Sequence, residues 1–313
     1  MDIKTNILKK ILAGPFGFNI SSQNLLENSS SQSNEKDTDE KSLEQIDEEL
    51  KFRTGRRLIA EEVNKQKNME DVIQMTDEIL QKDPDFKNAS INDEDNDPEW
   101  IQECLNGAGK TYNHDLKLYF AKLLAGEIKN PGKYSKRAIN FMRSISQKDA
   151  EKIRNMCQYV MYDFNTDEAF ILRYKNAEYS FKDTSFLMEL RLLNTSNLVV
   201  KQFRAEQPYN QGFFFHKDVG YLIDIKAKEY NLPIFSFSEL GKEILSIIDD
   251  VEVNIDYLKN YTKSITNNRA DIFVVGGQYE LDGELIHFQN NTMYFEIPQK
   301  DKGTRGQVHV PQQ

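Results

Sequence analysis

Between Asp97 and Val160 the chain carries start and stop signals so closely spaced that only short helices with brief connections fit. Asp97-Pro98 supplies a capping carboxylate and then proline at the first helical position. Trp100, Ile101, Cys104 and Leu105 come next at helical spacing until Gly107-Ala108-Gly109 ends the run. Asn113 opens a second helix with Leu116, Phe120, Leu123, Leu124 and Ile128 on it, and Asn130-Pro131-Gly132 stops it. Ser135 opens a third, with Ile139, Met142 and Ile145. Ser146, with Asp149 three residues on, caps a fourth carrying Ala150, Ile153, Met156, Cys157 and Val160. Four such helices predict a compact helical domain over 98–161, with Trp100, Phe120, Leu124 and Ile139 buried together.

The flanks on the N-terminal side are different in kind. In residues 1–20, Ile3, Ile7, Leu8, Ile11 and Leu12 share one helical face, while Lys4, Asn6, Lys9 and Lys10 fall elsewhere. A break at Gly14-Pro15 leaves Phe16 and Phe18 beyond it. This is the composition of a short surface helix, and it makes 3–18 a candidate for peripheral membrane contact or for packing on a partner face. Residues 21–42 and 83–97 are polar and read as linkers. Between them, 43–82 has the apolar spacing of a helical hairpin or coiled coil: Leu43, Ile46, Leu50, Leu58, Ile59 and Val63, a break at Asn68, then Met69, Val72, Ile73, Met75, Ile79 and Leu80. The stripe from Leu43 to Val63 has little local sequence to cover it, so a homo-oligomer or a partner protein is expected there.

Beyond residue 162 the texture changes again. Phe170-Ile171-Leu172, Phe213-Phe214-Phe215 and Tyr221–Ile225 suggest strands, and Phe181–Leu193 and Ser238–Leu245 suggest helices. That order predicts a winged-helix-like module over 162–250. Residues 251–300 alternate and turn at Asp282-Gly283 and Asn290-Asn291, the pattern of a small antiparallel meander, with a disordered tail at 301–313. The expected fold class is mainly α with a smaller β part.

Composition narrows the function classes. Only 39 % of the 313 residues are apolar and the net charge is −10, which disfavours general affinity for nucleic acid or anionic lipid. The charge is uneven, however. Lys129, Lys133, Lys136, Arg137 and Arg143, continuing to Lys148, Lys152 and Arg154, form a basic stretch that could contact phosphate. The alternative is a solvated face paired with the acidic linkers. Cys104 and Cys157 read as buried, reduced thiols. His114, His216, His287 and His309 lack metal-ligand spacing, so neither a metal nor a cofactor is expected. No stretch is apolar enough to cross a bilayer, and Lys9 and Lys10 interrupt any secretory signal, which predicts a cytoplasmic protein, peripheral at the inner membrane surface if 3–18 binds lipid.

Several runs resemble a bacterial family described only as a domain of unknown function. They are Lys65–Val72, Asp97-Pro98-Glu99-Trp100, Tyr119–Ile128, Pro131–Arg137, Ser146–Ala150 and Glu239–Leu245, and the likeness covers about 55–250. Some of the same helical motifs, in the same order, are similar to abortive-infection proteins of the alpha type, which implies a link to defence against phage.

Gly107-Ala108-Gly109-Lys110-Thr111 looks like the end of a phosphate-binding loop, but Cys104 stands where the first glycine belongs and no apolar strand precedes it. It reads as a glycine-rich helix end. The supposed recognition helix at 181–193 carries Asp183 and Glu189, which suits a protein contact better than a DNA groove. Asp249-Asp250 and other carboxylates have no His or Ser partner nearby, and no catalytic residue is assigned. The leading expectation is a non-enzymatic interaction or regulatory protein in phage defence. The alternatives are a winged-helix regulator that binds nucleic acid, and an enzyme whose site assembles from distant positions.

Overall fold

The computed structural model describes residues 43–84, 96–195, 199–204, 210–227, 229–267, 269–283, 285–289, 294–296 and 308–309. The amphipathic segment with Ile3, Ile7, Leu8, Ile11 and Leu12, the linker at 21–42 and most of the linker at 83–97 lie outside them. The chain divides into two compact units, Met1–Gln147 and Lys148–Gln313.

The first unit is helical. It holds α1 (Leu43–Lys82), α2 (Pro98–Gly109), α3 (His114–Lys129) and α4 (Lys136–Ser144). Asp97, Asn113 and Ser135 cap α2, α3 and α4 by accepting backbone N–H groups. Trp100, Phe120, Leu124 and Ile139 are all buried. The spacing predicts two helices broken at Asn68, but α1 is one helix of 40 residues, about 60 Å long at 1.5 Å per residue. Asn68 stays helical because its side chain has a partner elsewhere: Nδ2 donates to the Gly109 carbonyl at 3.0 Å, satisfying the end of α2.

The second unit holds α5 (Gln147–Cys157), β1 (Val160–Asp163), β2 (Ala169–Leu172), α6 (Phe181–Glu189), β3 (Val200–Arg204), β4 (Asn210–His216), β5 (Val219–Ile225), β6 (Glu229–Ser236), α7 (Glu239–Leu245), α8 (Ile255–Thr266), β7 (Ile272–Asp282), β8 (Leu285–Phe288), β9 (Tyr294–Glu296) and β10 (Val308–His309). The strands form one sheet in the order β10-β9-β8-β7-β5-β4-β1-β2-β6-β3.

This overturns the expected fold class. The chain is a mixed α and β protein with a substantial antiparallel sheet, not a mainly α chain with a winged-helix-like module and a separate small meander. The residues expected to form a wing and those expected to form a meander are joined: β5 pairs with β7 from Val219↔Gln278 to Ile225↔Ile272. Burial explains why. Consecutive residues from Val219 to Ile223 are buried, so β5 presents apolar side chains on both faces and cannot serve as an exposed wing. β2 is likewise buried at all four positions. After Gln278, β7 exchanges β5 for β8 as its partner, next to Gly277, whose φ of +151° a side chain would resist. Ile286 and Phe288 thereby reach Phe213 and Leu222 in a core cluster. Around β2, Tyr257 of α8 accepts the Leu172 N–H at 2.7 Å, and Tyr179 donates to the Leu172 carbonyl at 2.6 Å.

Candidate functional site

The turn between α3 and α4 is organised by a buried acid. Glu127 lies on the apolar side of α3 and is 2 % exposed. One carboxylate oxygen accepts the Gly132 N–H at 2.6 Å and the other accepts the Tyr134 N–H at 3.0 Å. Gly132 has φ +81°, which suits glycine in so tight a turn. The Tyr134 ring packs on Gly126, where a Cβ would come within 2.6 Å of it. Trp100 closes the arrangement by donating its indole N–H to the Tyr134 carbonyl at 2.8 Å. These contacts satisfy the backbone of a turn. None of them leaves a group poised for chemistry.

The basic residues around this turn separate into two kinds. Lys129 pairs with Asp83, and Lys136 reaches Glu99 at 2.9 Å and Glu103 at 3.8 Å. The bond to Glu99 is the first cause that raises the Lys136 ammonium above its usual range. Lys133 lies over the Tyr134 ring at 5.1 Å. Lys133, Arg137 and Arg143 are exposed. The stem of Arg143 lies against Gly107, 2.8 Å from where a Cβ would stand. Three exposed cations and two paired ones therefore surround a rigid turn.

Gly107-Ala108-Gly109-Lys110-Thr111 spans the last turn of α2 and its C-cap at Lys110, and it is preceded by helix rather than strand. Its glycines serve packing. A Cβ on Gly109 would fall 2.7 Å from the Lys65 side chain on α1, so the two helices can cross closely only without one. Nearby, Lys117 on α3 holds Asp71 on α1 at 2.7 Å. A groove of about 350 Å³ over Met75, Ile79 and Leu118 is rimmed by Asp71, Glu78 and Lys82.

A family model described as "Protein of unknown function (DUF2806)" matches residues 52–262. The chain belongs to this family. No curated protein matches the chain, and no solved structure matches it. The DUF2806 match begins within α1 and ends within α8, so β7 to β10 lie beyond it.

Within the DUF2806 region, two further features stand out, of which sequence reasoning missed the first. The first is an ionic network in the second unit, with Asp163 buried and Lys201 and Glu168 half-buried. Lys201 on β3 reaches Asp163 at 2.6 Å and Glu168 at 2.9 Å, and its ammonium lies over the Phe170 ring at 5.3 Å. Ser236 donates to the second Glu168 oxygen at 2.9 Å, and Asn194 donates to Ser236 at 3.3 Å. The other Asp163 oxygen accepts the N–H groups of Asn165 and Thr166. These groups answer one another, so the network ties β3, β6 and the β1–β2 turn together. In the sequence Lys201 is a single lysine between Val200 and Gln202, and its partners meet it through strand pairing alone. Among the described residues, no group of three or more His, Cys, Asp or Glu side chains could hold a metal ion. No helix there is long and apolar enough to cross a membrane.

The second feature is the outer half of α1. Met69, Val72 and Leu80 are buried, as helix-packing residues should be. Residues 47–64 are exposed apart from partial cover at Thr54 and Gly55. That stretch nevertheless displays Leu50, Phe52, Leu58, Ile59 and Val63, with Phe52 66 % and Ile59 68 % exposed. At 100° per residue, Phe52, Ile59 and Val63 share one side of the helix.

Proposed function

We propose that this protein is a non-enzymatic interaction protein, acting in the cytoplasm in bacterial defence against phage, and that the outer half of α1 is its working surface. The exposure of Phe52, Ile59 and Val63 on one helical side carries the reading. A helical stretch of this length has little stability in water without tertiary cover, and large apolar side chains grouped on a surface mark a place where another molecule sits. The likeness to alpha-type abortive-infection proteins supports the defence part. The test is phage plaque formation on cells that express the full chain or its Phe52→Glu and Ile59→Glu variants. Expected is protection by the wild type that both variants lose at unchanged protein level. Variants that protect as well as the wild type, or a wild type that does not protect, would overturn it.

A second reading rests on Lys133, Arg137 and Arg143, which are exposed beside a rigid turn on an otherwise acidic protein. They would contact nucleic-acid phosphate. Binding of labelled RNA or DNA should then weaken with salt and fall with Arg137→Glu; binding that is absent at low salt removes this reading.

A further inference from the structure

We infer that the occupant of the outer half of α1 is the same segment of a second copy of this chain, lying antiparallel to it. This pairing rests on the reading above for its docking face and adds the partner. The order of charges along the helix supports it. Asp47, Glu48 and Glu49 form an acidic block; Lys51, Arg53, Arg56 and Arg57 a basic one; Glu61 and Glu62 a second acidic one; Lys65 and Lys67 a second basic one. Turned end over end about a two-fold axis near Leu58, the first acidic block lies over the partner's Lys67, and the first basic block lies over its Glu62, while Lys65 stays against Gly109 of its own chain. The same register sets Phe52 opposite Val63, with Ile59 beside the axis. An in-register parallel pair would instead set every block level with its own copy. Blocks of like charge at one level repel, and blocks of opposite charge attract and fix the register.

The geometry of the isolated chain leaves room for this. The ion pairs in the segment run along the helix, Lys51 to Asp47 at 2.6 Å, Arg57 to Glu61 at 3.7 Å and Lys65 to Glu62 at 3.7 Å, and their side chains are more than half exposed apart from that of Lys65. Arg56 lies over the Phe52 ring at 5.8 Å on the same exposed side. The face is two-fold self-complementary, as an isologous contact requires, and it closes on two copies instead of growing into a filament.

The test uses the full chain in light scattering, followed by disulfide trapping. Expected is twice the 36.4 kDa chain mass at micromolar concentration, with a shift toward monomer in Phe52→Glu and Ile59→Glu and no loss of helix by circular dichroism. Glu49→Lys should weaken association severalfold and Lys67→Glu added to it should restore it. Mixing Phe52→Cys with Val63→Cys chains should give a cross-linked pair, and Phe52→Cys alone should not; Cys104 and Cys157 are buried and stay out of the reaction. A wild type monomeric at all concentrations, or cross-linking of Phe52→Cys to itself, overturns the antiparallel pair. A monomer whose phage protection is still lost in Phe52→Glu would end this inference and leave the interaction reading standing. An antiparallel dimer whose protection survives Phe52→Glu would do the reverse.

Discussion

Glu127 and Tyr134 hold the α3–α4 turn from both sides of one residue: the carboxylate accepts the Tyr134 N–H at 3.0 Å, while the Tyr134 carbonyl accepts the Trp100 indole N–H at 2.8 Å. Glu127→Ala would strand the buried Tyr134 N–H and leave the Gly132 N–H, in an exposed turn, to water. It should cost about 1.5–3 kcal/mol, set mainly by the charge-assisted bond to the buried Tyr134 N–H lost without replacement. Glu127→Gln keeps an acceptor and should cost clearly less. Denaturant midpoints of the two variants check this, and equal losses would mean that the turn does not depend on the carboxylate.

Gly241 on α7 faces the Leu192 carbonyl so closely that a Cβ would stand 2.1 Å from the oxygen. That oxygen already accepts the Ser238 N–H at 2.8 Å, so it cannot easily retreat. Gly241→Ala should therefore destabilise by about 3 kcal/mol or more, at the upper end of overpacking costs. Thermal unfolding measures it, and a variant as stable as the wild type would show that α7 and the 191–193 turn can separate freely.

Asp224 on β5 gives a pH signature. Burial raises its carboxyl above the usual range, against the Gln211 side chain and Lys226, and its Oδ1 has no hydrogen-bond partner among the described residues. The folded chain thus keeps this proton to higher pH than the unfolded chain does. Its contribution to stability falls as pH rises through the carboxylate range. Asp224→Asn should match the wild type at low pH and gain on it toward neutrality. Stability measured from acid to neutral pH decides this, and a difference that does not change with pH would contradict it.

The two thiols should be silent in the native state. Both are buried. Burial pushes Cys157 up to about 12, and burial followed by the Glu127 charge raises Cys104 further. Because the thiolate is the reactive form, Ellman's reagent at pH 8 should find almost no thiol in folded protein and two in guanidinium. Rapid native labelling at either position would show that its unit opens easily.

The features legible in the sequence obey local rules. Asp97, Asn113 and Ser135 mark helix starts because a capping side chain needs only the next few residues. Trp100, Phe120, Leu124 and Ile139 can be placed in a core because helical spacing assigns a face. The sheet is less visible. Phe213–Phe215 and Tyr221–Ile225 are strands, but a run buried on both faces has no alternation to show which neighbours it needs. The pairing of Val219–Ile225 with 272–278 crosses some fifty residues, a distance over which spacing carries no information. Asn68 misleads for a similar reason, since its compensating bond to Gly109 is tertiary. Glu127 does leave a signal: an acid four residues after Leu123, inside the apolar stripe of α3. The exposed basic residues are legible as a group, but which of them meet acids depends on where Asp83 and Glu99 fall in the fold.

The surface at Phe52, Ile59 and Val63 carries the functional reading, and amide hydrogen exchange along α1 tests it most directly. Bare helix at 47–64 would exchange by fraying, whereas a covered one is protected to the extent that its partner is bound. The expected result is slow exchange at 47–64 in concentrated full-length protein, faster exchange on dilution, and fast exchange at every concentration in Ile59→Glu, with 68–80 protected throughout. Exchange at 47–64 that ignores both concentration and the Ile59→Glu substitution would contradict it.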